Sequence, residues 1–302
     1  MIGYLYVALV LACGGIKGYC GKRTSYLTRT VSDAAMLNLL RMLLCIIIGG
    51  TIMLIGGNVT ALAVSGTELL SAALNGVFSA AFVVTWLLAV KSSAYMMVDV
   101  FLLLGCVIPI ILSRIFYSEQ VSIPQVVGMI LLVVAAYVMT GYNASIKGKL
   151  SISSLIFLSL CGVSNGAADF SQKVFVKLST DTPISVFQLY SFMFSAATLL
   201  AVCLFLRIRQ KDSGESSGAV LSRLKGAAGY ITVMAVCLFL HSYFKTAAAD
   251  HFDSVQLYPI LQGGGMLVAL LISALCFKER ITLKCLIGVA LALVAMIMLN
   301  LF

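Results

Sequence analysis

Short polar gaps cut the sequence into ten apolar stretches, each about as long as a helix that crosses a bilayer. That repetition limits the fold more than any single residue does. Spanning about 30 Å of hydrocarbon takes about 20 helical residues. The stretches at 2–20, 34–55, 68–90, 94–113, 123–142, 152–171, 183–206, 227–246, 254–276 and 283–301 have that length. Residues 42–67, 69–90, 120–146, 182–206 and 254–277 contain no Asp, Glu, Lys or Arg. In lipid every backbone polar group must be paired within the chain, so spans of this kind are helices. Composition points the same way: 61% of the 302 residues are hydrophobic and 10% charged, where soluble domains carry about a quarter charged residues. The sequence therefore predicts an all-α integral membrane protein with ten transmembrane helices and excludes a single soluble domain.

The net charge of +9 does not point to nucleic acid, because the basic residues occupy the gaps between spans. There they set topology, since cytoplasmic loops collect Lys and Arg. Loops after odd-numbered spans hold fourteen basic residues and those after even-numbered spans four, counting Arg114, Lys173, Lys177 and Lys245. This predicts a multi-pass protein of the cell (plasma or inner) membrane, with odd-numbered loops in the cytoplasm and both termini outside. The start, MIGYLYVALVLACGG, has no basic n-region, so the first stretch reads as a span rather than a cleaved signal. Residues 207–225 read as a flexible Ser/Gly-rich loop. The nine cysteines lie singly, mostly in apolar stretches and without a CxxC pair, so neither a disulfide framework nor a metal site is expected.

The chain also repeats itself. YSEQVSIPQVVG at 117–128 matches FKERITLKCLIG at 277–288 with a constant offset of 160, pairing Glu119 with Glu279, Ser122 with Thr282 and Gly128 with Gly288. At the front of each half an offset of 151 pairs Gly15 with Gly166, Tyr19 with Phe170 and Lys22 with Lys173. Two five-helix repeats follow, at residues 1–150 and 151–302, integrated in one transmembrane domain. Five is odd, so equivalent helices run in opposite directions, the inverted arrangement many carriers use to alternate access around a midplane site. Ser122 and Thr282 are expected to cap their helices, and Gly128 and Gly288 to allow close helix approach. Glu119 and Glu279 read as loop carboxylates that mark the fold.

The E-x-x-[ST]-x5-G pattern ending each half, with the Gly-to-Lys spacing from Gly15 to Lys22 and from Gly166 to Lys173, resembles the drug/metabolite transporter superfamily, in particular its EamA-type ten-helix members. The resemblance covers nearly the whole chain. It implies secondary transport of small metabolites or drugs through a cavity between the halves, without a cofactor or metal.

Charges inside spans are costly and usually face a cavity or a partner. Lys17 in the first span and Asp169 in the sixth lie at comparable depth, and Asp99 sits in the fourth with Tyr95 one turn earlier. A Lys–Asp pair across the repeats would satisfy both charges. Alternatively these groups bind a charged or zwitterionic solute, with Asp99 or Asp169 exchanging a proton. His241 and Lys245 share one face of the eighth span, and Tyr258 and Gln262 one face of the ninth. The eight candidates for solute binding are thus Lys17, Tyr95, Asp99, Asp169, His241, Lys245, Tyr258 and Gln262. The run YPILQGGG, with Pro259 and three glycines, suits a hinge. Glu68, three after Ser65, reads as a capping box. Asn38 and Gln188 are candidates for bonds between helices, and Trp86 for an interfacial anchor. Arg41 pairs with a carboxylate or snorkels.

The mixture of Lys17, Asp99 and Asp169 favours an amine, amino acid or zwitterion. A nucleotide sugar or phosphorylated metabolite would need clustered cations, for which the sequence offers Lys17, Arg41 and Lys245. An intramembrane enzyme is a remote alternative: the Asp250–Asp253 run has no accompanying HExxH or GxSxG motif. The expected partners are a small solute and the bilayer, not nucleic acid. One chain suffices as a monomer, with a homodimer also compatible.

Overall fold

The computed structural model describes residues 2–28, 30–56, 62–146, 148–179, 182–209 and 225–301. Its helices are α1 (Ile2–Thr24), α2 (Val31–Ile55), α3 (Gly66–Ser92), α4 (Tyr95–Gly105), α5 (Val107–Tyr117), α6 (Ile123–Ile146), α7 (Ile152–Leu178), α8 (Ile184–Arg209), α9 (Ala228–Ala249), α10 (Ser254–Leu275) and α11 (Leu283–Leu301). With α4 and α5 taken as one span, ten are long and apolar enough to cross a membrane. Most of the loop expected at 207–225 lies outside the described residues.

Local sequence explains where these helices begin. Thr30 with Asp33 and Ser65 with Glu68 form reciprocal capping boxes for α2 and α3. At α6 the Ser122 amide donates to Gln125 Oε1 at 2.8 Å while Ser122 Oγ accepts the Gln125 amide at 3.4 Å. Thr282 Oγ1 accepts the Cys285 amide at 3.4 Å at the start of α11. Both expected hydroxyl caps are therefore formed.

The fourth span is broken where the sequence reading had it continuous. Pro109 has no N–H to donate to the carbonyl four residues back, which is that of Gly105, and α4 ends at Gly105. That residue packs against α7, where Gly162 and Gly166 stand four apart. A Cβ on Gly105 would collide with the Gly162 carbonyl, and one on Gly166 with the Gly105 carbonyl. Three glycines thus let two backbones touch.

Packing joins the first half of the chain to the second. α1 runs along α9, α3 along α7, α2 against α8 and α6 against α11, while α4 contacts α7 and α10 contacts α1. At the α6–α11 contact a Cβ on Gly128 would meet the Ala295 carbonyl at 3.0 Å, and one on Gly288 the Met139 sulfur at 2.6 Å. Asn38 Nδ2 donates to Val83 O at 3.1 Å and Gln188 Nε2 to Thr246 Oγ1 at 2.8 Å, so both amides bridge helices as expected. Apolar residues fill the centre, among them Leu37, Leu87, Met97 and Leu103. Others such as Ile55, Ile123, Tyr137 and Leu283 point outward, which is how a helix bundle meets lipid.

The two connections that repeat in sequence also repeat in conformation. Ser118 and Lys278, each just before the repeated glutamate, adopt left-handed φ values of 55° and 52°. In each turn the glutamate amide folds back onto a serine carbonyl: Glu119 onto Ser113 at 3.5 Å, Glu279 onto Ser273 at 3.1 Å.

Candidate functional site

One cavity gathers most of the charged groups within the spans. α1 contributes Lys17 beside Gly14 and Gly15, α2 Arg41, α4 Tyr95 and Asp99, α9 His241 and Lys245, α7 Asn165 and α10 Gln262. Phe82, Trp86, Leu102 and Leu261 supply apolar wall. Six of the eight residues expected from sequence line it. The other two lie behind it: Asp169 is fully buried and forms an ion pair with Lys245. Tyr258 donates its hydroxyl to the Asp169 carbonyl at 2.6 Å, fastening α10 to α7.

This corrects the pairing expected for Lys17. Asp169 takes its counter-ion from α9, one turn beyond His241, and is further contacted by the amides of Asn165 and Gln262, each at 3.4 Å. Lys245 is consequently a cavity residue rather than a loop charge. Among the described residues no carboxylate lies within ion-pair distance of Lys17 or Arg41. Arg41 is 2% exposed. Its Nη1 donates to Asn38 Oδ1 at 2.5 Å, while its Nε is buried without a hydrogen-bond partner. Arg41 therefore does not snorkel, and it pairs with no carboxylate among the described residues. Asp99 Oδ2 is likewise buried without a hydrogen-bond partner. His241 is held by its Nδ1 at 3.0 Å from the Val10 carbonyl of α1.

Trp86 also departs from expectation. It is 9% exposed, stands edge-on to Tyr95 with ring centroids 6.4 Å apart and forms part of the cavity wall. Gly21 makes room for it, since a Cβ there would lie 2.6 Å from the indole ring. A lone tryptophan near a span end carries no mark in sequence that separates an inward ring from an interfacial one.

The repeated glutamates do more than mark the fold. Lys22, in the last turn of α1, forms an ion pair with Glu279 between α10 and α11. Its ammonium also sits over the rings of Phe277 and Tyr95, at 4.4 and 4.8 Å. Ser273 Oγ donates to the same glutamate at 2.6 Å. The counterpart is Lys173 of α7, 3.6 Å from Glu119 between α5 and α6, and it donates to the carbonyls of Phe252 at 2.6 Å and Ala249 at 3.3 Å. Glu119 accepts the Ser254 amide at 3.1 Å. Aromatic contacts follow the same rule: Tyr19 meets Phe277 at 5.6 Å and Phe170 meets Tyr117 at 6.2 Å. The matched lysines, glutamates and rings were all legible as repeats. Their meeting across the halves was not, because a repeat found at a fixed offset says nothing about which copy touches which.

No family model matches this sequence, and no curated protein matches it. Among solved structures, one described only as "Crystal structure of protein" superposes with a TM-score of 0.66 at 13% identity, over 99% of this chain and 96% of its own. At that identity the likeness speaks to the fold alone.

Proposed function

We propose that this protein is a secondary transporter of the drug/metabolite type, built from two inverted five-helix repeats and carrying a small amino acid or other zwitterion by alternating access. The observation that carries the reading is a polar cavity within the spans, with two crossed lysine–glutamate pairs joining the halves. With ten crossings, the connections after the fourth and ninth spans fall on opposite faces of the membrane. Breaking Lys22–Glu279 would then open one end, and breaking Lys173–Glu119 the other. Support for the inversion comes from the packing, in which α1 on α9 and α7 on α3 exchange equivalent helices.

Within the cavity the repeat is not kept. Arg41 corresponds to Ser191, at an offset of 150 that aligns Leu37–Arg41 with Phe187–Ser191, and Asp99 corresponds to Pro259 at the offset of 160. Matching gates around a lopsided binding site suit a carrier whose solute is itself lopsided, with an anionic and a cationic end. Asp99, buried at one oxygen without a hydrogen-bond partner, is the group we assign to proton exchange or to the solute amine. Asp169, already paired with Lys245, is the weaker candidate. No chemical conversion of the solute belongs to this reading, and one chain encloses the pathway.

Lys173 and Lys245 turn inward, which leaves Arg114 and Lys177 of the four basic residues counted after even-numbered spans. This strengthens the proposed orientation, with the Lys22–Glu279 end and the odd-numbered loops in the cytoplasm of a cell membrane.

The test is proton flux into proteoliposomes on addition of pooled amino acids, amines and nucleotide sugars, comparing wild type with Asp99→Asn. Solute-dependent flux that the substitution abolishes is the expected result. Solute counterflow without proton movement would sink the coupling and leave the carrier, whereas no solute movement of any kind would overturn the carrier.

A further inference from the structure

Two cations in the cavity have no ion-pair partner among the described residues. Lys17 and Arg41 lie on adjacent sides of it, on α1 and α2, and no carboxylate among the described residues is within ion-pair distance of either. Lys245 differs because Asp169 neutralises it. A buried guanidinium without a counter-ion is costly, and the chain holds this one in place: Asn38 donates its amide to Ala34 O and Val83 O, at 2.8 and 3.1 Å, which aims its own carbonyl at Arg41 Nη1. Arg41 Nε, on the edge away from that bond, is buried and left without a hydrogen-bond partner. A planar two-oxygen anion fits such an edge, since a guanidinium presents parallel donors to it. The wall beside it is aromatic and aliphatic, from Phe82, Trp86 and Leu102.

Resting on the carrier reading, we propose that Arg41 and Lys17 form an anion dock, which takes the carboxylate or phosphate of a solute whose apolar body lies against Phe82 and Trp86. Asn38 positions Arg41 for this contact. The dock makes an anionic head group the first requirement for binding and leaves the cationic end, where present, to Asp99.

A matched set of phenyl compounds isolates the head group: 3-phenylpropionate, phenyl phosphate, phenylalanine, phenethylamine and benzyl alcohol. Binding is read as the rise in melting temperature of the purified full-length protein in nanodiscs, titrated with each compound. The two monofunctional anions separate a carboxylate source from a phosphate source. The dock requires at least one of them to stabilise the protein, phenethylamine and benzyl alcohol to have no effect, and Lys17→Gln and Arg41→Gln each to weaken the anion by about tenfold or more. Arg41→Lys, which keeps the charge but loses the fork, is expected to recover part of the loss and guards against a folding defect in Arg41→Gln. Three results would overturn the dock: stabilisation by the amine or alcohol equal to that by the anions, anion binding unchanged in both Gln variants, or no stabilisation by any anion. Counterflow of the bound anion in proteoliposomes separates the two levels. Binding without movement keeps the dock and removes the carrier, while movement of solutes regardless of charge does the reverse.

Discussion

Replacing Lys245 by Met would strand the most deeply buried carboxylate of the site. Asp169 is 0% exposed, and without Lys245 its oxygens would keep only the side-chain amides of Asn165 and Gln262, both at 3.4 Å. Removing one partner of a buried ion pair costs about 3–5 kcal/mol, because the remaining charge stays desolvated. Met matches Lys closely in length and fills the same volume, so packing adds little. Asp169→Asn should cost less, about 1–3 kcal/mol, since the Lys245 ammonium borders the cavity and can be hydrated there. The double variant Asp169→Asn with Lys245→Met carries neither charge and should return to within about 1–2 kcal/mol of wild type. Unfolding free energies from denaturing-detergent titration in mixed micelles measure all four proteins, and the cycle gives the coupling directly. A Lys245→Met protein as stable as wild type would refute the argument. So would a double variant whose loss equals the sum of the two single losses, because the charges would then be independent.

Tyr258 and Gln262 should separate by role. Tyr258→Phe is expected to lower stability by about 1 kcal/mol with affinity for a stabilising phenyl anion unchanged, and Gln262→Leu to alter that affinity; the unfolding assay checks the first and titration of the anion the second. Gly166→Val would drive a side chain into the Gly105 carbonyl and should cost about 1–3 kcal/mol or more in the same unfolding assay. Ser118→Gly and Lys278→Gly relieve left-handed backbone at φ 55° and 52°, so each should stabilise by about 1 kcal/mol, read as a higher detergent midpoint. Asn143→Ala removes the carbonyl that accepts the Ala94 amide at 2.7 Å at the start of α4 and should cost about 1–3 kcal/mol, measured likewise.

The spans and caps could be read from sequence because each depends on neighbours in the chain: length and absence of charge for a span, a hydroxyl and an acid or amide three apart for a cap. Serine and glutamate at 65 and 68 carry their capping box with them. Groups whose partners are distant were harder. Lys245 near the end of an apolar run reads equally as a loop cation or an inward one, and only packing α9 against α7 brings Asp169 to it. Lys17 and Asp169 match in depth, yet depth fixes one coordinate and leaves the angle around the helix open. The setting of Arg41 was hidden for a related reason, since its isolation is a property of what does not surround it. The break at Cys106 had a local cause in Pro109, but the touching backbones of Gly105, Gly162 and Gly166 needed two helices to be seen together.

The two ends of the molecule are built to one plan but not with equal strength. Lys173 and Glu119 have 2% and 10% of their side chains exposed, and two backbone carbonyls also hold Lys173, whereas the side chains of Lys22 and Glu279 are 15% and 12% exposed. Water and salt compete better for the second pair. In the carrier cycle proposed above, this difference would bias the resting equilibrium toward opening at the Lys22 end. On that proposal, the solute concentration on the Lys22 side would set how often the cavity is filled, and the Lys173 latch would set how long a filled molecule waits before release on the other side.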